Sequence, residues 1–353
     1  MKPSVRLLAC VTCLITGALT ASAGDAYKWS VQYLIDNSRS VFGRPQKVSP
    51  RHNRALAISP DGKYLYAGYH HSFNNTGEVR RIRIDVADYE RATEEVLPGV
   101  LAKAITTDDK GRVYVCAENS ILVYDAALLQ RELRIPVNVC EGVVAVREGG
   151  ELALYGSDRE EGTISRWVMQ ESGALVTAAN LSGYDGSGVF RVPGATDLRM
   201  LKMDPKGNIW VADLKGGKVF RIEPGGKNVK AIEVTSPMDV AFDGPRVFVT
   251  RWTQRAITVL DHDGNIVGNL GVPWEELELS VFGNNRNGAL SGIVTVPGKG
   301  FFVANEAGQT ANQKSTYGRI DTHSDFVNGK MYRDVFQDDN EPILRATEVE
   351  TAP

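Results

Sequence analysis

Residues Ala55–Asp85 read ALAISPDGKYLYAG, a loop, then EVRRIRID, and Met200–Pro224 read MLKMDPKGNIWVADLKGGKVFRIEP. Both stretches share one grammar. An apolar strand leads into a tight turn, Pro60-Asp61-Gly62 or Pro205-Lys206-Gly207, in which glycine supplies the positive φ a hairpin needs. A second strand rich in aromatic and β-branched residues follows, and a loop then leads to a third, alternating strand such as Lys218-Val219-Phe220-Arg221-Ile222.

The same grammar recurs outward from these two copies, in Ala104–Ala126 (AITTDDKGRVYVCAENSILVYDA), Gly142–Met169, Asp239–Asp261 and Gly292–Asp321. Fourth strands lie between copies, as in Glu132–Val137 and Val229–Val234. Six copies at intervals of roughly 40 to 56 residues match radial repetition. A lone four-stranded sheet cannot bury both faces, whereas a closed ring of six lets every sheet pack on two neighbours. The expected class is therefore all-β, a six-bladed β-propeller of four-stranded antiparallel blades spanning 24–340. The sixth copy lacks a clear fourth strand. The alternating segment Trp29–Ile35 is expected to complete it, with Met331–Phe336 as the alternative, and 341–353 reads as a loosely ordered tail.

Residues 1–23 read as a cleaved signal peptide. Lys2 and Arg6 precede an apolar run from Leu7 to Leu19, and Ala21-Ser22-Ala23 has the small residues of a cleavage site. The expected location is secreted or periplasmic, with no membrane span in the mature chain and a monomeric state. Of 353 residues, 40 are basic and 43 acidic, a net charge of −3. Removing 1–23 takes two basic residues and no acid, leaving 38 against 43 and −5. That balance argues against a nucleic-acid partner, which needs a basic excess on one face. Of four cysteines, Cys116 and Cys140 remain after cleavage, and an even pair in an exported protein reads as a disulfide, with two free thiols as the alternative.

In an up-and-down propeller, innermost strands start and second strands end at one mouth of the channel. Strand starts place Asn53-Arg54, Lys103, Glu141, Arg199, Asp239 and Ser291 there. Second-strand ends add His70-His71, Glu118-Asn119, Ser157-Asp158, Asp213, Arg251-Trp252 and Asn305-Glu306. Convergent polar groups on a concave surface favour a ligand. Arg54, Lys103, Arg199, Arg251, Trp252 and Arg286 are the candidate ligand-binding residues, suited to a small polar or anionic ligand or a partner's loop. Three long loops carry related phrases, Ser40-Val41-Phe42-Gly43, Gly188-Val189-Phe190-Arg191 and Ser280-Val281-Phe282-Gly283, whose apolar residues predict packing onto the ring.

The repeats resemble those of the six-bladed propeller superfamily that includes NHL-repeat proteins and gluconolactonase-like, senescence-marker-type lactonases. That resemblance implies calcium or magnesium held by oxygen ligands, here Glu141, Asp239, Asn305 and Glu306. It carries the alternative of a metal-dependent lactonase-like hydrolase or lyase, with His70, His71 and Glu118 as candidate proton-handling residues. The chain departs from the lactonase pattern at Asn53-Arg54-Ala55 and Met238-Asp239-Val240, and Arg54, Lys103 and Arg199 bring positive charge to the same place. Asp261-His262-Asp263-Gly264-Asn265 lacks the rest of a calcium loop and reads as a hairpin turn.

Overall fold

The computed structural model describes residues 27–32, 51–71, 76–85, 93–117, 119–169, 175–177, 188–254, 256–271, 290–305 and 343–348. They form six antiparallel sheets. Blade one is β2 (Arg51–Ile58), β3 (Tyr64–His71), β4 (Thr76–Arg83) and β5 (Thr93–Pro98). Blade two is β6 (Ala102–Thr107), β7 (Val113–Ala117), β8 (Ser120–Tyr124) and β9 (Arg131–Pro136). Blade three has β10 (Gly142–Glu148), β11 (Glu151–Asp158) and β12 (Thr163–Met169), whose outer edge is shared by the short β13 (Leu175–Thr177) and β14 (Val189–Arg191). Blade four is β15 (Leu198–Met203), β16 (Ile209–Asp213), β17 (Lys218–Ile222) and β18 (Val229–Glu233). Blade five is β19 (Pro237–Asp243), β20 (Arg246–Arg251), β21 (Ala256–Asp261) and β22 (Ile266–Gly271).

Blade six draws on both ends of the described chain. Its order from the axis outward is β23 (Leu290–Val296), β24 (Gly300–Asn305), β25 (Ile343–Glu348) and β1 (Tyr27–Gln32). The tail expectation is corrected here. Residues 343–348 supply the third strand, bonded to β24 on one side and β1 on the other. Gly292–Asp321 therefore contributes only β23 and β24 to the described blade.

The innermost strands β2, β6, β10, β15, β19 and β23 adjoin in succession, and β23 returns to β2, which closes the ring. Burial follows from that closure. Second strands such as β7 and β16 are buried at every residue, because neighbouring blades cover both faces. Outermost strands bury far less: β9 tucks in Ile135, β18 Ile232 and β22 Leu270. The hydrophobic clusters lie between blades. One joins Trp210, Val219, Ile232 and Val234 to Val240, Val247, Val249 and Leu260 of the next blade.

An aspartate anchors the first hairpin in blades two and four. Asp204 accepts from the backbone N–H groups of Lys206 and Asn208, from Asn208 Nδ2 at 2.8 Å and from Trp210 Nε1 at 3.0 Å. Asp108 does the same with Lys110, Arg112 and the Tyr114 hydroxyl. Gly207 completes the turn at φ +81°, where a side chain would be strained. The Asp261–Asn265 segment is also a turn, with Asp261 accepting from Asp263 N and Asn265 N. Phe190, from the second of the three related loop phrases, is buried between blades three and four. Phe42 and Phe282 lie outside the described residues.

Cys116 of β7 and Cys140, just ahead of β10, form a disulfide with Cα atoms 5.5 Å apart. It joins blades two and three across a separation of 24 residues. Closing a loop of that size restricts the unfolded chain, so replacing both cysteines by alanine should lower stability by about 2–4 kcal/mol. Denaturant unfolding of oxidised and doubly substituted protein measures this, and equal midpoints would contradict it.

Candidate functional site

Five of the six innermost strands do not begin as regular strands, β10 being the exception. Register shifts by one residue between Asn53 and Ala55, Ala102 and Ala104, Leu198 and Leu201, Pro237 and Val240, and Leu290 and Ile293. A bulge frees one residue from the ladder and re-aims its side chain. Arg54, Lys103, Arg199, Asp239 and Ser291 fall within these five bulges. Neighbouring hydroxyls brace two of them, since Ser157 Oγ donates to Arg199 O and Thr250 Oγ1 donates to Ser291 O, each at 2.6 Å. The approach between blades is tight. A Cβ on Gly292 would stand 2.5 Å from Arg54 O, so only glycine fits there.

Four blades converge on Glu141. Its Oε2 accepts from Arg54 Nη2 at 2.8 Å and from Arg199 Nη1 at 3.4 Å. Its Oε1 accepts from Lys103 Nζ at 2.8 Å, with Arg159 Nη1 at 3.7 Å. Asp197 lies alongside, accepting from Arg199 Nη2 at 2.9 Å and standing 3.6 Å from Arg159 Nε. Asp213, fully buried at the end of β16, holds this segment by accepting from Thr196 N, Thr196 Oγ1 and Asp197 N.

The cluster is layered. The carboxylates of Glu141 and Asp197 are 1% and 2% exposed, while Arg199, Arg54, Lys103 and Arg159 are exposed by 12%, 15%, 20% and 38%. Acids therefore form the floor and cations the tier nearer solvent. Among the described residues these four cations pair with three carboxylates, the buried Glu141 and Asp197 and the exposed Glu160, 3.9 Å from Arg159, which leaves one positive charge in excess. Among the described residues the buried Nε groups of Arg54 and Arg199 have no hydrogen-bond partner. Burial alone would raise the Glu141 carboxyl, but the charges of Arg54, Lys103 and Arg199 outweigh it and hold the group below the usual carboxylate range.

The other expected residues are placed differently. Asp239 is fully buried, its Oδ1 accepting from Val240 N at 2.8 Å and its Oδ2 from Ile293 N at 2.9 Å, which stitches blade five to blade six. Burial pushes its carboxyl up, against the pull of Lys202 at 3.8 Å. Glu141 is ringed by positive charge, and each Asp239 oxygen accepts from a backbone N–H group. Among the described residues no three His, Cys, Asp or Glu side chains gather as a metal site.

Arg251 closes β20 and donates from Nε to Thr235 O at 3.2 Å, and Trp252 packs at the edge of the apolar cluster holding Met200 and Met238. Neither joins the Glu141 network among the described residues. His70 and His71 end β3, but their side chains, that of Asn305, and all of Glu118, Arg286 and Glu306 lie outside the described residues. Arg159, Asp197 and Lys202 escaped the sequence reading. Arg159 sits one residue beyond β11, where a repeat-based signal would have needed to run past the strand end.

Solved structures share this architecture. A virginiamycin B lyase from Staphylococcus aureus matches with a TM-score of 0.54 at 12% identity, covering 92% of this chain and 100% of that one. A streptogramin B lyase matches at 0.51 and 11%, covering 81% of this chain and 97% of the other. The WD40 repeats of RRP9 match at 0.50 and 9%, covering 80% and 77%. No family model matches the sequence, and no curated protein does. The likeness is one of fold. At such identities the chemistry of a neighbour does not transfer, because a propeller hosts unrelated sites at its mouth.

Proposed function

We propose that the chain is an exported binding protein that holds a small anionic ligand at the cationic tier of Arg54, Lys103, Arg159 and Arg199. One observation carries this reading: among the described residues the carboxylates of Glu141 and Asp197 are buried, the four cations over them are partly exposed, and these cations outnumber the acids paired with them by one. Cations already stripped of part of their water gain from an anion that supplies both charge and acceptors. The leader expected in 1–23 lies outside the described residues. The disulfide suits an oxidising compartment, and among the described residues no helix is long and apolar enough to cross a membrane. The metal-dependent lactonase-like or lyase reading stands behind binding, since it needs Glu141 and Asp239 as cation ligands.

Arg159 gives the cleanest test. It is the most exposed of the four cations, and its contacts at 3.6–3.9 Å are ion pairs without a hydrogen bond. Arg159→Ala should leave stability within about 0.5 kcal/mol, as for an exposed pair. It should weaken sulfate binding by roughly 10-fold, the loss of one charge-assisted hydrogen bond. Calorimetric titration at constant ionic strength reads the affinity directly, separate from the general stabilisation that sulfate gives any fold. Wild-type protein that takes up no sulfate, or an unchanged affinity in the variant, would overturn the proposal.

A further inference from the structure

The cationic lining continues inward from the tier. β15 starts with Arg199 in its bulge and reaches Lys202 three residues later. At about 3.3 Å per residue this lies roughly 7–10 Å along the strand, the bulge shortening the span. β15 is bonded to β16 on its outer side and flanked by β10 and β19. The Lys202 side chain is 17% exposed, whereas Asp239 beside it is fully buried. Its Nζ stands 3.8 Å from Asp239 Oδ2, too far for a hydrogen bond, and each Asp239 oxygen accepts from a backbone N–H group. Among the described residues an ammonium with three donors thus stands further along β15 than the tier, partly open to solvent and with one ion pair beside it.

We infer that the ligand is an elongated dianion, with one acidic group on the tier of Lys103, Arg159 and Arg199 and the second on Lys202. The class is a linear dicarboxylate, or a carboxylate–phosphate of similar length. This rests on the anion-binding reading and adds a second contact and a length to it. A compact dianion such as sulfate meets the tier alone. An extended one spans both, with one acidic group at the tier and the other at Lys202, the two held apart as their own charge repulsion favours.

The two ends are separable with two probes. Sulfate and adipate are titrated calorimetrically into wild type, Arg159→Ala, Lys202→Met and Lys202→Arg. Arg159→Ala should weaken both. Lys202→Met should weaken adipate by about 10-fold or more while sulfate stays within about two-fold, and Lys202→Arg should retain adipate. Lys202→Gln makes the same comparison if the Met variant does not fold. The inference fails if adipate is unaffected at position 202, or if sulfate falls as far as adipate, which would mean one undivided pool of charge. In either case Arg159→Ala would still report on the tier. If wild type binds neither probe, both readings fall together.

Discussion

Glu141→Gln should lower the unfolding free energy by about 3–5 kcal/mol, the usual cost of removing one partner from a buried ion pair. Gln has nearly the same shape, so packing is preserved and the loss is electrostatic. The hub that Arg54, Lys103 and Arg199 share at 2.8, 2.8 and 3.4 Å would lose its charge, and the cations would repel one another at the mouth. The effect has a defined pH window. A carboxyl held low in the folded state contributes stability that is complete above its unfolded pKa of about 4.3 and fades as pH falls through its folded value. The gap between wild type and variant should therefore be full at neutral pH and close in acid below about 4. Sulfate should restore part of the lost stability, because it returns negative charge to the tier. Chemical denaturation at several pH values measures all three effects. A loss under about 1 kcal/mol at pH 7 would show that the cations find adequate solvation without Glu141.

Trp210→Ala should cost a similar amount, about 3–5 kcal/mol, through a different mechanism. Trp210 is fully buried on β16. Its ring fills the space between blades four and five, against Val240, Val247, Val249 and Leu260, and meets Phe242 edge-on at 6.1 Å. Truncation opens a cavity between two sheets that cannot close without breaking the ring. It also takes the Nε1 donor from Asp204. Burial would raise that carboxyl, but bonds from Asn208 and Trp210 outweigh it and keep the group below its ordinary range. Trp210→Phe separates the two contributions, keeping most of the apolar area and losing the hydrogen bond, and should fall between the extremes at about 1–3 kcal/mol. Urea midpoints at constant m-value decide the matter, and equal losses for Phe and Ala would assign the effect to the hydrogen bond alone.

Much of this was legible from the repeat. The turn glycines, the alternating third strands and the aromatic second strands each follow from local rules, and their sixfold recurrence leaves little freedom in how they assemble. Aligning strand starts placed Arg54, Lys103, Glu141 and Arg199 together, as the ion pairs show. The bulges were hidden, since an extra residue leaves no mark in composition. A strand start says nothing about which backbone N–H groups a carboxylate will meet across the blade boundary, as at Asp239, which accepts from Ile293 N. Position alone likewise did not reveal that Arg251 Nε donates to Thr235 O. In blade six the repeat ran through Asp321, but the third strand comes from Ile343–Glu348, a jump that alternation alone could not reveal.

That jump bears on how the molecule comes into being. Tyr27 pairs with Glu348, so the sixth petal needs residues 321 positions apart in sequence. The first five can assemble from neighbours as they leave the ribosome, while Tyr27–Gln32 waits for a mate translated long after it. Contacts that span so much of the chain are slow to form. The clasp should thus be the final event in folding, and a nascent chain lacking it should expose the flanks of blades one and five to chaperones and proteases.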